Sequence, residues 1–179
     1  MREIVLPETK PALEWINGRA VQKVSPQRKH GRAQLEFGSA LQAWARENGS
    51  GEVATEWEFR VQPPGEERRP LVPDVAFLAF GKVPYEEESA ADIPRVAPDV
   101  VVEILSPRDL RRDIDEKIRV YLAAGTTVVF VVDTDDRTIA AHDRNGVYVF
   151  GHADLIRHAA LPGFALPAAR LFERPKPRR

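Results

Sequence analysis

The stretch Val100-Val101-Val102-Glu103-Ile104-Leu105-Ser106-Pro107 decides the fold. Its unbroken β-branched and apolar run predicts a strand over 99–105 that is buried on both faces. Pro107 then opens a segment with helical spacing that runs to Ala124 and stops at Gly125, a residue suited to the position just past a helix. Residues 127–133 are again continuously apolar and predict another central strand. Strand, helix, strand in that order predicts a parallel pair joined by a right-handed crossover.

Working outward toward the N-terminus, 71–80 reads as a further strand. Residues 53–61 alternate, with Val53, Thr55, Trp57, Phe59 and Val61 on one face and Glu56, Glu58 and Arg60 on the other. The proline-rich 63–70 turns the chain between them. Residues 27–48 switch to helical spacing, with Phe37, Leu41 and Trp44 in one stripe, and Gly49-Ser50-Gly51 closes the helix. Ser25-Pro26 breaks the preceding strand, and Ser25 is placed to cap that helix. Asn17-Gly18, between 13–16 and 19–24, predicts a type I′ hairpin. Asn145-Gly146 does the same between 139–142 and 147–150. The whole predicts an α/β fold, a mixed sheet with helices on both faces and a hairpin toward each end. Residues 1–173 read as one domain and 174–179 as a basic, mobile tail.

The chain has 179 residues, 43% hydrophobic and 30% charged, which excludes whole-chain disorder. No apolar run approaches the roughly 20 residues a membrane helix needs. The N-terminus lacks a signal-peptide core, so a cytoplasmic location is expected. With no cysteine, disulfides, zinc thiolates and thiol nucleophiles are excluded. The net charge of −1 gives no global argument for nucleic acid, which leaves local patches to carry one.

The chemistry starts with charges that do not belong. Glu103 interrupts a core strand, and Asp74 sits between Pro73 and the apolar Val75-Ala76-Phe77-Leu78. An ionised carboxylate in such surroundings is costly unless paired or bound to a metal. If the two strands are neighbours, the acids converge and either share a proton or hold a cation. Hard oxygen donors suit Mg²⁺ or Mn²⁺. Lys117 falls in the apolar stripe of Leu110, Ile114 and Tyr121, so it either snorkels or meets a buried anion. His30 points along the stripe of the first long helix, and Glu56 reaches toward the same region. Each residue also has an ordinary reading. These are a turn bond for Asp74, a pair with Arg108 or Arg111 for Glu103, and an i,i+4 pair with Asp113 for Lys117. For His30 it is a half-buried helical histidine, and for Glu56 a solvated strand face. The joint arrangement of two acids and a lysine is what argues for a site.

With these residues in hand, the chain resembles the PD-(D/E)XK nuclease superfamily. Pro73-Asp74 matches its PD element and Glu103 its second acid. The longer text is more specific. Residues 100–107, Asp113, Glu116-Lys117, Tyr121, Ala124-Gly125 and Val131-Val132-Asp133 resemble the bacterial Uma-two type of restriction-endonuclease-like proteins. Residues 13–18 with His30, and Leu161-Pro162-Gly163-Phe164, fit that family's opening and close.

The resemblance implies a restriction-endonuclease-like mixed sheet flanked by helices, and divalent-metal-dependent hydrolysis of phosphodiester bonds in DNA. It implies Asp74 and Glu103 as ligands for Mg²⁺ or Mn²⁺, with the backbone carbonyl of Ile104 completing the shell. The superfamily lysine two residues after the acid is Leu105 here, and Lys117 on the following helix is placed to supply the amine. Glu56, His30 and Glu14 are auxiliary candidates. Double-stranded DNA and a homodimer are the expected partners, with no membrane. Alanine at Asp74 or Glu103 is expected to abolish cleavage with little loss of folding. The alternatives are a non-catalytic DNA-binding module of the same fold, or a phosphodiesterase acting on RNA or a small substrate. Arg68, Arg69, Arg108, Arg111 and Arg112 are either phosphate contacts or solvated surface.

Overall fold

The structure, a computed structural model, describes residues 2–23 and 27–174. The expected Ser25 cap, the Ser25-Pro26 break and the tail beyond Arg174 lie outside the described residues.

An antiparallel hairpin comes first, β1 (Leu13–Ile16) with β2 (Arg19–Gln22). Its turn residues Asn17 and Gly18 have φ of 48° and 73°. A type I′ turn needs two successive left-handed residues, and asparagine followed by glycine tolerates them best. The register pairs Glu14 with Val21 and Ile16 with Arg19. Glu14, Ile16, Arg19, Val21 and Lys23 therefore share one face. Helix α1 (Arg28–Asn48) follows and ends at Gly49. Next come β3 (Gly51–Thr55), β4 (Phe59–Val61), β5 (Arg69–Leu71) and β6 (Val75–Ala79). A short α2 (Glu88–Asp92) leads to β7 (Val100–Ile104), α3 (Arg111–Ala123) and β8 (Val128–Asp133). The chain closes with the hairpin β9 (Thr138–Asp143) and β10 (Gly146–Phe150), the pair β11 (Leu155–Ile156) and β12 (Leu166–Pro167), and α4 (Ala169–Phe172).

Six strands form the main sheet in the order β10-β9-β8-β7-β6-β3. Only β7 and β8 are parallel, joined through α3 as expected, and the other neighbours are antiparallel. Strand parity divides the core. Val100, Val102 and Ile104 join Phe37 and Leu41 of α1 on one side of the sheet. Val101, Val129 and Val131 join Ile118, Val120 and Tyr121 of α3 on the other. Each fully buried Leu, Val or Phe contributes about 1.5–3 kcal/mol by leaving water, so both layers are firmly held. The same parity turns Glu103 toward α3.

The structure departs from the sequence expectation at three places. The strand over 53–61 is two strands, because Glu56 has φ 52° and turns the chain. Val53 packs with the α1 layer whereas Phe59 and Val61 enter the α3 layer. Their two-residue spacing therefore does not describe one face. The strand over 71–80 is interrupted at Val72-Pro73-Asp74, where Pro73 has no N–H for a ladder. The second helix begins at Arg111 rather than Pro107. Residues 106–109 form a turn in which the Ser106 N–H donates to Asp109 Oδ2 at 2.7 Å. Leu110 consequently precedes the helix and is 47% exposed, not part of an apolar stripe. The short α2, β11, β12 and α4 carry too few residues for periodicity to reveal.

Candidate functional site

Antiparallel pairing of β6 and β7 sets Val75 opposite Val102. One step further along the same register, Asp74 comes opposite Glu103, which meets Lys117 of α3 while Asp74 meets His30 of α1. Asp74, Glu103, Lys117 and Glu14 are each 3–4% exposed. With His30 and Lys23 they line one cavity of about 270 Å³. The sequence expectation that two distant acids converge is what the structure shows.

Each acid has its own cation. Lys117 Nζ donates to Glu103 Oε2 at 2.6 Å and lies 2.9 Å from Glu14 Oε1. The ordinary pairings fail here. Glu103 meets neither Arg108 nor Arg111, and Asp113 is taken by Arg19 at 2.6 Å and Asn17 at 2.9 Å. Those last two bonds clasp the hairpin tip to the first turn of α3. Glu14 is thereby held over the site, and its Oε1 also accepts from the Val72 N–H at 2.8 Å.

Asp74 is gripped on both oxygens. Oδ2 accepts from the Ile104 N–H at 2.6 Å and lies 3.3 Å from His30 Nε2, while Oδ1 accepts from Lys23 Nζ at 2.8 Å. Ile104 thus meets Asp74 through its N–H, which leaves the expected role of its carbonyl a separate matter. Glu56 joins through Lys23, with Oε2 3.1 Å from Nζ, and Gln34 holds its other oxygen at 2.9 Å. Every acid, lysine and histidine singled out in the sequence reaches this region; of the arginines only Arg108 lines the cavity, while Arg68, Arg69 and Arg111 are held by other groups. Lys23 is the one that reading missed. Its signal was the hairpin register: carried one residue beyond Gln22, the alternation puts Lys23 on the face of Glu14.

Three buried acids, Glu14, Asp74 and Glu103, face the two ammonium groups of Lys23 and Lys117. The excess negative charge falls on Glu103. Burial pushes its carboxyl up to about 8, with repulsion from Asp74 and Glu14 adding to burial and Lys117 opposing it. Burial would also raise Asp74, but the Lys23 ammonium and the His30 bond outweigh it and hold that carboxyl well below the usual range. Burial works against charged Lys23 and Lys117, yet the surrounding carboxylates keep both protonated to unusually high pH. Burial raises the Tyr121 phenol, one turn further along α3, and the Glu103 carboxylate raises it further. A side-chain hydrogen bond with Glu103 adds to the same rise, although the hydroxyl has no partner of good geometry among the described residues. Nor has Glu103 Oε1, which is also buried. A buried carboxylate oxygen without a well-formed bond, among other hard oxygen donors, suits a divalent cation.

Acids on adjoining strands of a mixed sheet, with a lysine from the crossover helix against one of them, define a restriction-endonuclease-like nuclease fold. The chain belongs to the Uma2 family, whose model, described as "Putative restriction endonuclease", matches residues 4–169. Among solved structures it is similar to a protein from Anabaena variabilis described as "a putative nuclease belonging to DUF820". The two share 29% identity over 93% of each chain, with a TM-score of 0.81. No curated protein matches the chain.

Proposed function

We propose that the protein is a divalent-metal-dependent endonuclease that hydrolyses phosphodiester bonds in double-stranded DNA. The observation that carries this reading is the convergence of Asp74 and Glu103 on one buried cavity, with Lys117 against Glu103 and Glu103 Oε1 left without a well-formed bond. Asp74 and Glu103 would hold Mg²⁺ or Mn²⁺, with the Ile104 backbone beside them. When bound, such a cation lowers the pKa of an attacking water and neutralises charge developing on the phosphate.

The chain's own groups do the positioning. Lys117 is fixed by Glu103 and Glu14, so its ammonium is aimed without conformational search and can orient the water or steady the phosphate oxygens. The Ile104 N–H and His30 fix the Asp74 carboxylate. Two such sites related by two-fold symmetry would cut both strands, which is the reason to propose a homodimer.

The test is incubation of supercoiled plasmid with Mg²⁺ or Mn²⁺, with and without chelator, using wild type, Asp74→Asn and Glu103→Gln. Chelator-sensitive nicking by wild type and none by either variant is the expected result. A second reading, a DNA-binding module without turnover, is favoured by the full engagement of Asp74 by protein donors. Intact plasmid under every metal condition, together with retained duplex binding, would establish it.

A further inference from the structure

Lys23 follows the N-terminal hairpin, and its side chain is 11% exposed. Its ammonium touches three oxygens: the Val72 carbonyl at 2.8 Å, Asp74 Oδ1 at 2.8 Å and Glu56 Oε2 at 3.1 Å. These are the hard donors a divalent cation seeks. Among the described residues no three His, Asp or Glu side chains gather as a metal cage. The geometry explains why: an ammonium group stands between Asp74 and Glu56, and another between Glu103 and Glu14.

The two lysines are not equivalent. Lys117 occupies Glu103 Oε2 and leaves Oε1 open. Lys23, His30 and the Ile104 N–H together leave neither oxygen of Asp74 open. Lys23 also has somewhere to go. It lines a second cavity, of about 500 Å³, with Gln22, Ser106 and Arg108.

We infer that Lys23 is a tethered counter-cation that competes with the divalent metal for the Asp74 carboxylate, so that metal enters by displacing it. The inference rests on the metal-dependent reading above. Lys23 balances the buried charge while the site lacks metal and sets how much metal is needed to fill it.

The test is calorimetric titration of the full chain with Mn²⁺ alone, comparing wild type with Lys23→Gln. Glutamine removes the charge but keeps a donor for the Val72 carbonyl. Competition predicts Mn²⁺ binding at least about tenfold tighter in Lys23→Gln, equal to about 1.4 kcal/mol. Binding by the variant alone would support the inference equally. If wild type binds and the variant binds no more tightly, the inference falls and the nuclease reading stands. If neither binds, both fall. Should Lys23→Gln not fold, wild-type chain is acylated with an amine reagent, with and without saturating Mn²⁺, and read by peptide mass. Displacement predicts a several-fold rise in Lys23 modification, and an unchanged level refutes it.

Discussion

Metal-free stability separates the two acids that the sequence treats alike. Asp74→Asn removes a charge that accepts from Lys23 at 2.8 Å and from the Ile104 N–H at 2.6 Å, and leaves the buried Lys23 ammonium with the half-exposed Glu56 as its one contacting carboxylate, beside the Val72 carbonyl. Breaking one partner out of a buried pair costs about 3–5 kcal/mol, so a loss of that size is expected. Glu103→Gln removes the surplus charge instead. The sign follows from linkage. With its folded carboxyl raised to about 8 from 4.5, Glu103 keeps its proton in the folded state while the unfolded chain gives it up. Its contribution is therefore fully present below 4.5 and is lost as pH rises to 8. The ceiling on that loss is about 5 kcal/mol at 1.36 kcal/mol per pH step. The high effective dielectric of real protein interiors brings the expected loss down to about 2 kcal/mol. In chelator, urea unfolding followed by tryptophan fluorescence should show Glu103→Gln close to wild type at pH 5 and about 2 kcal/mol more stable than wild type at pH 8.5. Asp74→Asn should be the less stable protein at both. A Glu103→Gln protein clearly weaker than wild type at pH 8.5, or an Asp74→Asn protein equal to it, refutes this account of the charges. On this account the expectation that either acid can be removed with little loss of folding should hold for Glu103 and fail for Asp74.

Three further outcomes follow from particular contacts. Lys117→Met leaves Glu103 and Glu14 facing each other without a cation, and should cost about 3 kcal/mol at pH 8.5 and less at pH 6, where Glu103 is protonated, in the same urea series. Asp113→Ala releases Arg19 and Asn17 and should speed amide exchange across the N-terminal hairpin well beyond any global loss, which exchange mass spectrometry resolves by segment. Gly51→Ala places a Cβ 2.2 Å from the Leu78 carbonyl oxygen and should lower the melting temperature by several degrees through separation of β3 from β6.

What the sequence disclosed and what it hid have the same origin. Residues 100–105 were legible because a glutamate in an unbroken apolar run has one consequence, burial of a carboxylate, whatever the neighbours are. The Lys117 assignment followed because helix periodicity survives an error of four residues in the helix start. The break at Glu56 was invisible because nothing in a two-residue alternation signals a non-glycine residue in the left-handed region. Lys23 was missed for a related reason. Its position depends on the hairpin register, and the predicted strand was treated as a unit with no face assigned.

The place where the acids meet is also set by where pairing stops. The ladder between β6 and β7 ends at Val75 and Val102, with Asp74 and Glu103 just beyond it. A paired strand spends its N–H groups on its neighbours. Past the last rung, the Ile104 N–H is free on that side and turns to Asp74 Oδ2. Pro73 keeps the ladder from extending, since it has no N–H to offer the next rung. The Pro-Asp order therefore has a physical use beyond its likeness to a motif: proline ends the pairing, and the residue after it inherits a backbone donor. Exchange of the two residues would move the carboxylate one position and reverse the direction of its side chain. Asp74 reaches Ile104 and Lys23 only in the order found.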